Sequence, residues 1–255
     1  MRLITIPMSH YCEKARWGLA HAGVDFVEEA HLQVFHYAAV RRYDARGMVP
    51  VLVTGSEAVC DSTAILEFLD RGLPEACRLY PGRQRQEIEA LEEHFDERLG
   101  VETRRWVYFH WMSLPAREVL KIAGQGTPWW QRLLAPLLFP MLRRYLNRHL
   151  GISRDNVEAG LVTIAAIFDE AAARLGDGRA FLCGDRFTAA DLSFACMAAP
   201  ILLPPEYGIR LPSPEEAPAA AQADIARFRA HPAGQFALRL FKGRHCAAPR
   251  KNSAA

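Results

Sequence analysis

"MVPVLVTGSEAVCDSTAILEFLD", Met48 to Asp70, decides how the first part of this chain is built. Pro50 opens a β-rich run, Gly55-Ser56 makes a turn, and a second run ends at Cys60. Two short runs joined by a glycine-containing turn predict an antiparallel hairpin over Pro50–Cys60. Asp61 to Asp70 then reads as a helix that ends near Gly72.

Upstream, "RLITI" (Arg2 to Ile6) reads as a strand. Tyr11 to Ala22 reads as a helix stopped by Gly23, with Tyr11, Ala15 and Leu19 on one face. Val24 to Ala30 predicts a second strand, and His36 to Asp44 a short helix. The order is strand, helix, strand, helix, strand, strand, helix. A right-handed βαβ crossover joined to an antiparallel hairpin gives a four-stranded mixed sheet with helices on its faces.

Downstream, Pro74 to Arg83 contains Pro74, Pro81 and Gly82 and reads as a linker. Beyond it the pattern is helical throughout. Gln84 to about Met112 is one long run. Arg117 to Leu150 is broken around "GQGTPWW", and Arg154 to Leu175 is alanine-rich. Another helix begins in "FTAADLSFACMAA", where Thr188 and Asp191 have the spacing of a capping box and Phe187 and Leu192 that of a hydrophobic staple. Pro200 to Pro218 reads as an irregular crossing. Ala219 to Ala230 and Gly234 to Phe241 are two more helices, separated by His231-Pro232, and a polar tail starts at Lys242. The division expected is 1–73, a linker 74–83, a helical domain 84–245 and a tail 246–255.

The 255 residues, half of them hydrophobic, suffice for a sizeable core. A net charge of +2, from 31 basic and 29 acidic residues, carries no nucleic-acid signal. The six cysteines are scattered without a CxxC pair, which suits a reducing compartment. His245-Cys246 has no second ligand pair at metal spacing, so no metal site is expected. "LLAPLLFPML" (Leu133 to Leu142) is too short to span a bilayer, and Pro136 and Pro140 interrupt it. With no signal-peptide pattern at the N-terminus, a cytoplasmic protein is expected.

Candidate chemistry gathers in the first seventy residues. Ser9 lies where the first strand hands over to the first helix, a turn whose free N–H groups favour an anion. It reads either as a helix N-cap or as a hydroxyl that donates to a bound thiolate. Cys12, in the first helical turn, reads either as a small core residue or as a thiol whose pKa the helix dipole lowers. The position three before it is serine, so a two-cysteine cycle is not available. Pro50 fits an ordinary trans strand start, or a cis bond that turns Val49 N–H and C=O into a cleft. Asp61 and Ser62, between strand and helix, form a helix cap or grip the two charged ends of an α-amino acid. Farther on, Tyr108, Trp111 and Met112 can share one helix face, as core or as an apolar substrate wall. Trp129 and Trp130, with the apolar run after them, either lie over the cleft or form a partner surface. Arg16 reads as a domain-bridging ion pair.

Taken together, "SHYCEKARWGL", "MVPVL", "VCDSTAILEFLD" and "FLCGDRFTAADLSFA" resemble the active-site turn, cis-proline segment, acidic-Ser signature and helical capping box of the cytosolic glutathione transferase family. "HPAGQFALRLF" is similar to late helices of bacterial members. The resemblance implies a thioredoxin-like α/β N-terminal domain, an all-α C-terminal domain, and a detoxifying enzyme that acts as a homodimer. It implies glutathione as co-substrate, with Ser9 stabilising its thiolate, Val49 pairing with its cysteinyl backbone, and Asp61 and Ser62 holding its γ-glutamyl end. An apolar electrophile would bind between the domains. Two features depart from the pattern. Cys12 resembles the second cysteine of CxxC relatives without the first. Met48 stands where many relatives carry Lys or Gln for the glycyl carboxylate, which leaves His36, Arg41 or Arg42 for that task. The alternatives implied are a glutathione-dependent reductase or lyase using Cys12, and a non-catalytic binding protein on the same fold.

Overall fold

Strand β1 (Arg2–Thr5) is the axis of a four-stranded sheet in a computed structural model of the chain, which describes residues 1–44, 46–55 and 57–243. It pairs in parallel with β2 (Val27–Ala30) and antiparallel with β3 (Val51–Thr54), which pairs antiparallel with β4 (Glu57–Cys60). The order β2-β1-β3-β4 is the mixed sheet expected from the crossover and the hairpin. Alternation sorts the strand residues by face. Leu3 and Leu52 meet Ala15 and Leu19 of α1 (His10–His21) and Ile65 and Leu69 of α3 (Ser62–Asp70). Ile4 and Val51 point the other way, onto Val40 of α2 (His36–Val40).

Two N-terminal elements are shorter than the sequence reading. Val24 to Phe26 are not part of β2, because β1 offers only four partners, from Arg2 opposite Val27 to Thr5 opposite Ala30. The chain there is still leaving α1: Gly23 adopts φ +64°, and the Val24 amide bonds to the Leu19 carbonyl. Helix α2 ends at Val40 rather than Asp44. The amides of Tyr43 and Asp44 both turn back to the Val40 carbonyl, and the Asp44 carboxylate then accepts from the amides of Arg46 and Met48.

The stretch read as a linker is largely a strap. Leu79 and Tyr80 are buried, and their amides donate to the Asp70 carboxylate. The Ala189 amide donates to the Leu79 carbonyl. A continuous helical rod follows, made of α4 (Arg85–His94), a π-helical turn (Phe95–Leu99) and α5 (Gly100–Trp111). Then come α6 (Ala116–Ala123), α7 (Trp129–His149), α8 (Arg154–Leu175), α9 (Ala189–Leu202), α10 (Ala219–Ala230) and α11 (Pro232–Gly243). Helix α9 is buried on every side and forms the axis of the larger core, as a helix apolar all round must. Its start is the expected capping box, with Thr188 N–H and Oγ both donating to Asp191 Oδ2 at 2.8 Å, while Asp191 Oδ1 accepts from Leu182 N–H. Two helices extend past their expected limits. Packing carries α9 through Pro200 to Leu202, and Pro232 starts α11 instead of separating it from α10. The tail from residue 244, and with it the 246–255 segment and His245-Cys246, lies outside the described residues.

Sheet unit and helical unit are joined by a buried ion cluster. Lys14 on α1 is fully buried, and its ammonium lies 2.6 Å from Glu92 on α4 and 2.5 Å from Asp96 in the π turn. It also donates to Thr63 Oγ1 on α3, while Glu92 accepts from the Tyr80 hydroxyl at 2.6 Å. Burial by itself would lower the Lys14 pKa, but Asp96 and Glu92 outweigh it and raise it. Removing the cation leaves two carboxylates buried without compensation. Lys14→Met is therefore expected to cost about 3–5 kcal/mol in urea unfolding; a loss below about 1 kcal/mol would show that the cluster does not hold the two units together.

Candidate active site

Between the sheet unit and the helical rod lies a cleft of about 770 Å³. Its floor is the N-terminus of α1. Ser9 caps that helix from an extended backbone, and its Oγ accepts the Cys12 amide at a long 3.4 Å. Ser9 lines the cleft, and its hydroxyl, which also lies beside the Cys12 thiol, donates to no carbonyl among the described residues. The other two hydroxyls at this floor are committed. Tyr11 donates to the Asp96 carbonyl at 2.7 Å, and Tyr207 donates to the Met8 carbonyl at 3.2 Å. Burial also pushes the Tyr11 pKa up to about 12 and raises that of Tyr207, so neither is a ready proton source.

Of the residues singled out in the sequence, Ser9, His36, Met48, Val49, Asp61, Tyr108 and Trp111 line this one cleft. Cys12 does not. Its thiol is fully buried, and burial pushes its pKa up to about 11, outweighing the lowering by Arg16 and by the Ser9 contact. The expected lowering by the helix dipole is thus overridden by desolvation. Met112 also lies away from the cleft and lines a separate apolar cavity of about 50 Å³ beneath α7, which shares Tyr108 and Met8 with the cleft. Trp129 and Trp130 do not line the cleft. Arg16 is an intradomain residue: it pairs with Glu13 at 3.0 Å and Glu28 at 2.6 Å, and it is Glu13 that reaches the helical unit, by accepting from Gly208 N–H.

The β3–β4–α3 side of the cleft has the features of a small-molecule cradle. The Val49–Pro50 bond is cis, and Val49 reaches the cleft wall while Pro50 is buried behind it. Asp61 caps α3 at φ +85°, ψ 145°, with its carboxylate accepting from Thr63 N–H. A non-glycine residue held there stores roughly 1–3 kcal/mol of strain, a feature that concentrates at ligand clamps. Ser62 is buried behind Asp61, and its hydroxyl has no hydrogen-bond partner among the described residues.

Several cleft residues were not legible beforehand. Arg46 is on the rim beside Met48, held by Asp44, whereas Arg41 and Arg42 do not line the cleft. Arg104 lies on the opposite wall near Tyr11 and Tyr108, with its Nε buried and unbonded, and it makes no ion pair among the described residues. His10 sits under Tyr11, ring centroids 4.4 Å apart. The glycine at 100 makes room for both, because a Cβ there would stand 2.8 Å from the Tyr11 hydroxyl and 3.2 Å from His10 Nε2. Burial, reinforced by Arg104, drives the His10 pKa down to about 3, and burial drives that of His36 down to about 4. Both rings are neutral at pH 7. Only the π turn, which a sequence pattern does not announce, brings Asp96, Gly100 and Arg104 to these positions.

Two family models match the chain, glutathione S-transferase N-terminal domain over residues 3–76 and glutathione S-transferase C-terminal domain over residues 154–230. Among curated proteins none matches. Solved structures share the fold. A glutathione S-transferase from Rhodospirillum rubrum F11 is 22% identical, with 93% of this chain and 91% of that chain covered and a TM-score of 0.57. A theta class glutathione S-transferase from Xanthomonas axonopodis pv. citri, with glutathione bound, is 21% identical, covers 93% and 96%, and has a TM-score of 0.55. The beta-etherase LigF from Sphingobium sp. strain SYK-6 is 19% identical, with 94% and 98% covered and a TM-score of 0.57.

The His10 pKa gives a pH test of this packing. The folded value lies below the unfolded one of about 6.5, so the stability it contributes is complete above that pH and is lost as pH falls toward about 3. Urea unfolding followed from neutral to acid pH should show a steeper acid loss for the native chain than for His10→Asn. Parallel curves would mean that folding leaves the pKa of the ring unchanged.

Proposed function

This chain belongs to the glutathione S-transferase family, and we propose that it conjugates the glutathione thiolate to a small, largely apolar electrophile, with Ser9 as the thiolate-stabilising residue. The observation that carries this reading is the hydroxyl census at the cleft floor. Tyr11 and Tyr207 spend their hydrogens on carbonyls, and Ser9 does not. In this reading the sulfur settles against the Ser9 hydroxyl at the open N-terminus of α1, where helix dipole and hydroxyl both favour the anion. Val49 pairs with the cysteinyl backbone. Asp61 takes the γ-glutamyl ammonium, and Ser62 and the α3 N-terminus take the adjoining carboxylate. Arg46 supplies the cation for the glycyl carboxylate that Met48 lacks. The protein acts as a homodimer, by analogy with its family.

The chemistry is a nucleophilic displacement. The thiol gives its proton to solvent, the sulfur forms a bond to the electrophilic carbon, and the leaving group departs with its electron pair. A thiol with a pKa of about 8.5 that is lowered by about two units gains roughly 25-fold in thiolate at neutral pH. The accompanying fall in nucleophilicity takes back about six- to tenfold. Ionisation alone therefore yields a few-fold gain, and most of the rate comes from holding the electrophile against the sulfur. Val107, Tyr108, Trp111 and Leu203 supply the apolar surface for that. Arg104, a guanidinium without a carboxylate partner among the described residues, suits a leaving group that becomes negative.

Two experiments test this reading. Ser9→Ala should raise the pKa of bound glutathione by about one to two units in ultraviolet difference spectra, the worth of a hydrogen bond to a charged sulfur, and should lower turnover of an activated aryl halide a few-fold at neutral pH. Cys12→Ala should leave both unchanged; the opposite pattern would assign the chemistry to Cys12. Arg46→Ala should weaken glutathione binding about two- to fivefold in calorimetry, the range for an exposed charge pair. An unchanged affinity would move the glycyl carboxylate to another group, such as His36, and absent binding in the native chain would favour a non-catalytic protein.

A further inference from the structure

Helix α7 has one face built into the protein and one that is not. On the inner side, Gln131 accepts from the Leu32 amide at 2.9 Å and lies 2.8 Å from the His31 ring, while Phe139 and Leu146 are buried with Met112 and Val119. The outer side carries Trp129, Leu133, Leu137 and Met141, spaced four apart and 69%, 67%, 78% and 61% exposed. One such residue is ordinary on a surface, but a continuous row of four calls for a partner.

Charge identifies the partner. The segment Trp129–His149 holds four arginines and no aspartate or glutamate. Arg143, Arg144 and Arg148 are exposed in the last two turns, and they make no ion pair among the described residues. An apolar row with tryptophan at one end and unpaired arginines at the other is the pattern of a helix lying in a membrane interface. A second copy of the same face would add arginines and bring no carboxylate to balance them. Pro136 and Pro140 also lie on the outer side and withhold the N–H groups that the carbonyls of Arg132 and Pro136 would need. Water and headgroups can satisfy those carbonyls at shallow depth, whereas hydrocarbon cannot. No helix of the described residues is long and apolar enough to cross a membrane.

We propose that the outer face of α7 docks on an anionic lipid bilayer, its apolar turns in the acyl–headgroup boundary and its arginines at the lipid phosphates. The proposal is independent of glutathione transfer. If both hold, the cavity beneath α7, which shares Tyr108 with the cleft, lies between the cleft and the lipid.

The test is flotation of the full chain with phosphatidylcholine vesicles, with and without phosphatidylglycerol, alongside tryptophan fluorescence. Expected are binding that needs phosphatidylglycerol and weakens with salt, and a blue shift of the emission. Arg143→Glu with Arg144→Glu should reduce binding more than tenfold, since each surface arginine is worth roughly fivefold. Leu133→Glu with Leu137→Glu should abolish it. Both double variants should keep the native melting temperature, because the altered side chains are exposed. No binding to phosphatidylglycerol vesicles would overturn the proposal, as would equal binding by the native chain and either variant. So would light scattering in which Leu133→Glu with Leu137→Glu splits an oligomer that the native chain forms, which would assign the face to a second copy.

Discussion

A single ammonium group organises the molecule. Lys14, fully buried, projects from α1 to where Glu92 and Asp96 close on it from the helical rod and Thr63 from α3. Taking one cation and two carboxylates out of water is costly, and the arrangement is tolerable only while all partners stay in place. Burial pushes the Asp96 pKa up to about 6 even with Lys14 beside it, and Thr63, Glu92 and Asp96 also line the cleft. The cluster sets the position of the helical rod against the sheet unit, and so sets the opposite walls of the cleft.

The floor of the cleft follows from the same join. Tyr11 crosses to the Asp96 carbonyl, Tyr207 crosses back to the Met8 carbonyl, and Glu13 receives the Gly208 amide. Each of these bonds binds one unit to the other and spends a polar group that could have faced a ligand. Ser9 is the hydroxyl on that floor that donates to no carbonyl of the other unit. The same burial that makes the join firm makes Cys12 a poor nucleophile, since a thiolate in that dry pocket would lack both water and an adequate counter-charge.

Segment 77–153 lies between the two stretches matched by the family models and holds the π turn, Arg104 and α7. The π turn widens the rod where Asp96 and Gly100 meet α1, and it brings Arg104 onto the wall. Helix α7 then lies across the β2–α2 loop, with Trp130 edge-on to Phe35 at 5.4 Å. The cavity beneath it shares Met8 and Tyr108 with the lining of the cleft, so one element is outer surface on one side and cavity wall on the other.

What could be read without coordinates was what short-range physics decides. Gly23 marked the end of α1, Thr188 and Asp191 the start of α9, and the glycine-containing turn the antiparallel pairing of β3 with β4. Ser9 as helix cap and Asp61 with Ser62 at the next helix start belong to the same class, because a cap involves only residues two or three apart. The rest depended on which distant side chains the fold brings together. Lys14 and Asp96 are 82 positions apart, and no local pattern pairs them. Arg46 rather than Arg41 or Arg42 reaches the cleft because Asp44 stops α2 early and turns the loop. Cys12 and Ser9 are equivalent as sequence at the mouth of one helix; tertiary packing alone buries the thiol and leaves the hydroxyl facing the cleft, because desolvation is a property of the assembled interior and not of any segment of it.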